Sequence, residues 1–401
     1  MPHLNPVDAL DLDSELDDDE RLIRDTVAAF VRDHVNDHVA GWFEAGTFPT
    51  HELAPVIGKL GLFGMHLDGY GCAGASAAAY GVACRELEAA DSGLRSFVSV
   101  QGSLVMFPIH RYGSEEQKQE WLPRLASGEA VGCFGLTEPD QGSDPGGMRT
   151  VAKRDGGGTS RSSEAESGGD WILNGTKMWI TNGSIADVAV VWARTEDGIR
   201  GFLVPKGTPG FTTSEIHSKL SLRASVTAEL HLEDVRLPSS AVLPGVTGLR
   251  GPLSCLSEAR FGILCGVVGA ARTCYLSALD YSTTREQFGR PLAGFQLTQR
   301  KLAGMQVGLV HSQLLALRLS KLKDAGRLRP EHVSLGKLAN VRAALDIARD
   351  ARTILGANGI TTEYPVLRHA NNLETVLTYE GTEEIHTLVV GESVTGHAAY
   401  R

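Results

Sequence analysis

Along the chain the apolar residues change their period twice. From Asp18 to about Asn36, Ile23, Val27, Phe30 and Val31 recur at helical spacing. Ala75 to Ala90 is rich in alanine and Glu115 to Ala126 continues the pattern, so residues 1–130 predict a helical domain. Within residues 131–245 the texture becomes short β-rich runs between Gly/Pro turns, among them Val188 to Trp192, Gly201 to Val204 and Ala228 to Leu232. A further strand is predicted from Trp171 to Thr181. Helical patterns then return. Leu302 to Leu322 and His332 to Leu355 are long enough to predict a helical bundle across residues 246–401. The fold class is α+β, in the order α–β–α. The polar, low-complexity stretch Gly156 to Gly169 predicts a surface loop between strands.

A length of 401 residues fits two or three domains. The net charge of −10 argues against non-specific nucleic-acid binding. No run of about 18 apolar residues is seen, so no membrane span is expected. The acidic start, Asp11 to Glu20, has neither a signal core nor transit-peptide character. The chain therefore reads as cytoplasmic, or as mitochondrial matrix if it is a processed form. Six cysteines, at 72, 84, 133, 255, 265 and 274, form no CxxC pair and no Cys/His ligand spacing. They read as reduced and buried, with no metal site.

Gly69, Gly71 and Gly74 spell GxGxxG, but their flanks read as helix on both sides. A dinucleotide turn needs a strand before it and a βαβ unit around it, so a tight glycine loop between helices is preferred. The segments that carry chemistry come in a fixed order. Residues 134–144 (FGLTEPDQGSD) run from an apolar strand into a polar turn whose small residues let a ligand approach the backbone. Trp179-Ile180-Thr181 sets a broad ring beside a hydroxyl. Arg285 to Gly289 offers a cation and an aromatic face, suited to a phosphate and an adenine. Leu355 to Gly359 can end a helix and expose amides to a pyrophosphate. Tyr379 to Thr382 places a carboxylate beside a glycine and a hydroxyl. Taken singly, each reads as a core aromatic, a helix stop or a solvated charge; only the ordered set points to a site.

From about residue 18 to 398 the chain resembles the acyl-CoA dehydrogenase family and, within it, the glutaryl-CoA dehydrogenase branch. Gly69 to Gly74, Arg85 to Glu88, Asp91 to Gly93, Arg95-Ser96, Ser99 to Gln101, Ser103 to Met106 and Lys219 to Ser225 carry the closer likeness. The resemblance implies an N-terminal helical domain, a middle β-barrel-like domain and a C-terminal four-helix bundle. It implies that Phe134, Leu136, Thr137, Ser143, Trp179, Ile180, Thr181, Thr382 and Glu384 hold FAD within one subunit. Arg285, Phe288, Gln296, Leu355, Gly356 and Gly359 would reach the FAD of a neighbour, in a homotetramer. Leu253 to Arg260 would line the acyl-CoA channel, with Ser143 nearby.

An α-proton of a thioester is weakly acidic, so its removal needs a nearby carboxylate and donors on the carbonyl. The family places that base at Glu380; a few members carry it near Glu258, which is also present. Glu88, Arg95, Ser96, Ser99, Tyr379 and Gly381 would bind the substrate's far end and its reacting centre. Arg95 and Ser99 share a face if their segment is helical. Arg95 either pairs a substrate carboxylate or merely bridges to Glu88. The resemblance favours the first, and with it oxidation of glutaryl-CoA with decarboxylation to crotonyl-CoA and CO2. Electrons would pass to an electron-transferring flavoprotein. The alternatives are another short-chain or dicarboxylic acyl-CoA, or an acyl-CoA oxidase. Gly102 and Phe107 depart from the family pattern beside the pocket and leave room for a related diacid or a branched acyl group.

Overall fold

The computed structural model describes residues 4–155 and 170–399, so the predicted loop at 156–169 lies outside the described residues. Helix α1 (Asp18–His34) opens on a capping box, in which the Asp17 carboxylate accepts from the Glu20 N–H and Glu20 accepts from the Asp17 N–H. It buries Val27, Phe30 and Val31. Helices α2 (Val39–Ala45) and α3 (Thr50–Lys59) follow. The glycine motif is a tight hairpin: Asp68–Gly69 pairs with Cys72–Ala73, and Tyr70 and Gly71 at its tip have φ of 52° and 86°. Both values are what such a turn demands. The two-residue strand Asp68–Gly69 pairs with Cys72–Ala73 in a two-stranded antiparallel hairpin, and among the described residues no βαβ unit surrounds it, so the dinucleotide reading is excluded.

Helix α4 (Ala77–Ala90), capped by the Ser76 hydroxyl, leads into α5 (Ser92–Ser99). A π-helical stretch, Val100–Met106, then continues into α6 (Phe107–Tyr112), and α7 (Glu115–Ser127) closes the first region. The wide π turn follows directly on Ser99, one of the predicted substrate residues.

Seven strands make the middle sheet: β1 (Gly132–Gly135), β2 (Val151–Arg154), β3 (Trp171–Thr181), β4 (Val188–Thr195), β5 (Gly198–Pro205), β6 (Phe211–Glu215) and β7 (Thr227–Leu237). They pair in the order β1-β4-β2-β3-β7-β6, with β5 also paired to β4. β1 and β4 run parallel; β4–β5, β2–β3, β3–β7 and β7–β6 are antiparallel. Among the described residues no pairing joins β6 back to β1, so the barrel-like sheet is open on that side.

The last region is built on α8 (Arg250–Thr284), α9 (Gln296–Asp324), α10 (Pro330–Ile354), α11 (Val366–Thr378) and α12 (Glu383–Thr395). Val267 and Ala271 of α8, Met305 and Leu309 of α9, Val341 and Ala348 of α10, and Leu373 of α11 meet in one buried core, a four-helix bundle. The N-terminal half of α8 packs instead with α4 and the first region, through Phe261, Leu264 and Cys265. α8 is, among the described residues, the one helix long and apolar enough to cross a membrane by length and composition. Its most apolar window is 72% buried inside the protein, because α8 is the central helix shared by two cores.

Candidate active site

The turn after α11 carries Tyr379, Glu380 and Gly381. Glu380 has φ of 56°, a left-handed conformation that costs a side-chain-bearing residue about 1–2 kcal/mol. Gly381, at φ 91°, sits where an added Cβ would fall 2.9 Å from Nε2 of His386, so only glycine fits. The strain is held by polar groups on three elements. Arg260 of α8 donates Nε–H to the Glu380 carbonyl at 2.6 Å. His386 of α12 meets the same oxygen at 3.2 Å, while its Nδ1 lies 3.1 Å from the Ser334 hydroxyl. A carbonyl only accepts, so Nε2 carries the proton and Nδ1 accepts from Ser334. Lys337 of α10 donates to the carbonyls of Tyr379 (2.7 Å) and Gly381 (2.8 Å).

The Glu380 carboxylate is turned inward, and its Oε2 is sealed from solvent with no protein partner. Burial pushes its pKa up to about 7; Arg260, Lys337 and Arg95 offset part of that rise. The Glu380 N–H donates to no acceptor among the described residues. Glu258 is differently placed. Lys323 holds its carboxylate at 2.7 and 2.8 Å, so the second candidate base is already paired.

Arg95, Ser96 and Ser99 all lie on α5 and are buried, as helical spacing predicts. Arg95 donates Nε–H to Glu88 at 2.7 Å and one terminal nitrogen to the Tyr379 hydroxyl, which also contacts Ser96 Oγ at 3.0 Å. Burial opposes the arginine's charge, and Glu88 and Tyr379 hold its pKa well above the usual value. The other terminal nitrogen of Arg95 has no partner among the described residues. Ser99 Oγ and Glu88 Oε1 are likewise buried without one. Arg95 is thus braced by Glu88, as one sequence reading expects, and keeps a donor that no described protein group uses. Tyr379 bridges this cluster to Glu380 in a single residue step.

The predicted cofactor residues fall into two groups. In the first, the Met178 N–H donates to the Thr137 carbonyl at 2.9 Å, joining the turn after β1 to the end of β3. The β3–β7 register slips between Lys177 and Ile180, and Trp179 sits at the slip with φ of 63° and 56% of its surface exposed. A bulge of this kind re-aims a side chain. Beneath it the Lys177 ammonium is buried on Glu138 at 2.8 Å. Burial lowers Lys177 to about 8, while hydrogen bonds from Lys177 and from the Arg149 and Thr150 amides overcome burial and hold Glu138 at about 2. Loop 219–225 ties this region to the helices: Leu222 N–H donates to Asn372 of α11, and Ser221 contacts Thr375 at 2.5 Å.

In the second group, the hairpin after α8 presents Phe288 (94% exposed), with Arg285 and Gln296 also exposed. The turn Gly356–Ile360 is fastened to the end of α8 by Asn358 on the Tyr281 hydroxyl.

Several predicted side chains are placed otherwise. Phe134, Leu136, Ile180 and Leu355 point into cores, at 7%, 6%, 3% and 1% exposure, so they can offer a ligand only their backbone. Apolar strand and helix-end positions are buried first. Thr382 uses its hydroxyl to cap α12, with Glu384 exposed in the first turn. Ser143 and Leu253 are exposed, and Arg260 lies against the Tyr379–Gly381 turn, on the Glu380 carbonyl. The sequence reading missed Lys337 and His386; neither sits in a distinctive motif, and only the return of α10 and α12 onto the turn brings them there.

An exposed indole on a bulge, with the Thr137 and Thr181 hydroxyls bonded to no described protein group, makes a surface open to a large planar cofactor. The fold and this site define the class: the chain belongs to the acyl-CoA dehydrogenase family. Residues 17–129 match its N-terminal domain, 133–235 its middle domain and 247–395 its C-terminal domain. The chain is 62% identical to a glutaryl-CoA dehydrogenase from Mycobacterium smegmatis in complex with FADH2, over all of both chains with a TM-score of 0.95. It is 38% identical over 351 residues to the mitochondrial short-chain specific acyl-CoA dehydrogenase of Homo sapiens, covering 86% of this chain and 82% of that one. It is 32% identical to a chain in the structure of the electron-transferring flavoprotein of Acidaminococcus fermentans, covering 95% and 99% with a TM-score of 0.88.

Proposed function

We propose that this protein is an FAD-dependent glutaryl-CoA dehydrogenase in which Glu380 is the catalytic base and Arg95 receives the substrate's terminal carboxylate. One observation carries the reading. Tyr379 separates a sealed, unpartnered carboxylate oxygen from a buried guanidinium with a spare donor. A carboxylate on the acyl chain would complete Arg95 and reach Ser99 Oγ; an aliphatic end would leave both buried and unpaired, at about 1–3 kcal/mol for each orphaned group.

The Glu380 carboxylate takes the α-proton. Its raised pKa makes it a stronger base than an exposed glutamate and matches it to neutral pH. The Glu380 N–H is free to donate to the thioester oxygen as negative charge develops there. FAD, when bound, supplies the acceptor for the hydride leaving the β-carbon. Residues 136–137 and 179–181, with the exposed Trp179 ring, would hold it. Arg95, fixed by Glu88, keeps the terminal carboxylate ionised until it leaves as CO2, and protonated Glu380 returns its proton to the γ-carbon.

Phe288, Arg285, Gln296 and Gly356 lie exposed at one end of the bundle, which supports their reaching the cofactor of a neighbour in a homotetramer. The likeness to the Acidaminococcus structure supports an electron-transferring flavoprotein as acceptor. Six free cysteines support a reducing compartment, cytoplasm or matrix. The decisive assay compares glutaryl-CoA with butyryl-CoA under an artificial acceptor and counts CO2. We expect glutaryl-CoA to be preferred, with one CO2 per crotonyl-CoA; faster butyryl-CoA turnover, or an unsaturated product that keeps its carboxylate, overturns the reading.

A further inference from the structure

We propose that Lys337 is a positioning residue for proton abstraction: its ammonium clamps the main chain on both sides of Glu380 and fixes the carboxylate in the left-handed turn. The inference rests on Glu380 being the base.

Lys337 lies in the N-terminal third of α10 and is 2% exposed. Its Nζ donates to the Tyr379 carbonyl at 2.7 Å and the Gly381 carbonyl at 2.8 Å, the residues immediately before and after Glu380. The oxygen between them belongs to Arg260 and His386. All three successive carbonyls are thus held by side chains of α8, α10 and α12, which fixes the backbone that carries the Glu380 side chain and N–H. A left-handed glutamate relaxes to a commoner conformation unless its surroundings over-determine it. No carboxylate lies within 4 Å of the Lys337 ammonium among the described residues. A buried lysine without an ion partner is costly. Its placement therefore serves the two carbonyls and whatever negative charge forms beside them.

The charged and titratable groups facing Lys337 are Glu380, Arg260 and Arg95, with His386 acting on the same turn and the Tyr379 ring 6.0 Å away. Burial lowers Lys337 to about 7, Glu380 opposes this, and the two arginines add to it. Lys337 in turn lowers Glu380. A lysine that only capped the end of α11 would affect stability and leave the ionisation of Glu380 where it is. A lysine that positions the base and biases its charge moves both rate and pH dependence.

The test uses holoenzyme carrying Lys337→Met, Lys337→Arg or Glu380→Gln, with kcat/KM followed across the neutral pH range alongside flavin absorbance and far-ultraviolet circular dichroism. Glu380→Gln is expected to lose about 10²–10⁴-fold in kcat at every pH; if it turns over normally, the reading of the base fails, whatever Lys337 does. Lys337→Met is expected to stay yellow and folded. Its kcat falls by about 100-fold, the scale of a misplacement of about 1 Å, with a far smaller change in KM. Its acid limb moves to higher pH by about one unit, because a cation that favoured the ionised carboxylate is gone. Lys337→Arg is expected to return the limb to its wild-type place. A folded Lys337→Met with a wild-type limb overturns the proposal, whether or not it is less stable. Should Lys337→Met not fold, Lys337→Arg decides: a yellow, folded Lys337→Arg with a displaced limb overturns the proposal equally.

Discussion

Glu380 brings together a strained backbone, a sealed carboxylate and three nearby cations, and each is costly where the others are missing. Because its folded pKa is raised from 4.5 to about 7, the native state binds the proton more tightly than the unfolded chain does. Its contribution to stability is therefore full below about pH 4.5 and is lost as pH rises through 7. Glu380→Gln, a neutral isostere, is expected to lower kcat by about 10²–10⁴-fold. It should also raise the melting temperature relative to wild type more at pH 8 than at pH 5, as thermal melts at the two pH values will report. At the other end of the site, removing Arg95 alone would strand Glu88, so the informative variant is Arg95→Met with Glu88→Gln. It is expected to lose roughly 10–100-fold in kcat/KM for glutaryl-CoA, the worth of a charge-assisted hydrogen bond, and little or nothing for butyryl-CoA. Equal losses on both substrates would count against carboxylate recognition.

At the scale of elements, the site depends on how closely α8 approaches α4. A Cβ added at Gly269 would fall 1.8 Å from the Arg85 carbonyl and 2.8 Å from the Ala89 amide, both backbone of α4. One turn earlier, a Cβ at Gly266 would meet Glu88 Oε2 at 2.2 Å and Arg95 carbons at 3.3 Å. Glycines on one face of α8 thus set the depth at which Glu88 and Arg95 lie. Gly269→Ala is expected to force the helices apart at a cost of about 1–3 kcal/mol or more. Urea unfolding will measure the stability loss, and a parallel loss of preference for glutaryl-CoA is expected as the pair shifts. The bulge in β3 does the same for Trp179: the slip at Lys177–Ile180 turns a residue of a half-buried strand outward, above a buried Lys177–Glu138 pair.

For the whole molecule, large apolar side chains at the surface need an account. Phe288 is 94% exposed at the tip of a tight hairpin, where φ values of 53° and 77° for Phe288 and Gly289 hold it outward. A lone exposed leucine is ordinary, whereas an aromatic ring held out by a strained turn is placed to be buried elsewhere. Phe288→Asp is expected to weaken assembly and release flavin together, read by sedimentation velocity with absorbance in the visible. Normal assembly with full flavin would remove Phe288 from the proposed shared site.

The pattern of apolar positions was sufficient for α1, α4, α9 and α10 and for β3 from Trp171 to Thr181, while Arg95 and Ser99 shared a face only on condition that their segment was helical, which α5 supplies. These are local consequences of side-chain period and of caps such as Asp17 and Ser114. The ordered motifs pointed to Glu380 and left Glu258 as the alternative. Tertiary structure alone decided the rest: that Glu258 is spent on Lys323, that Arg260 serves the Glu380 carbonyl, and that Lys337 and His386 close on the same turn. Those partners lie between 6 and 120 residues from the groups they hold, and come from different helices. Periodicity records which face of a helix is buried, but not which distant backbone that face will meet.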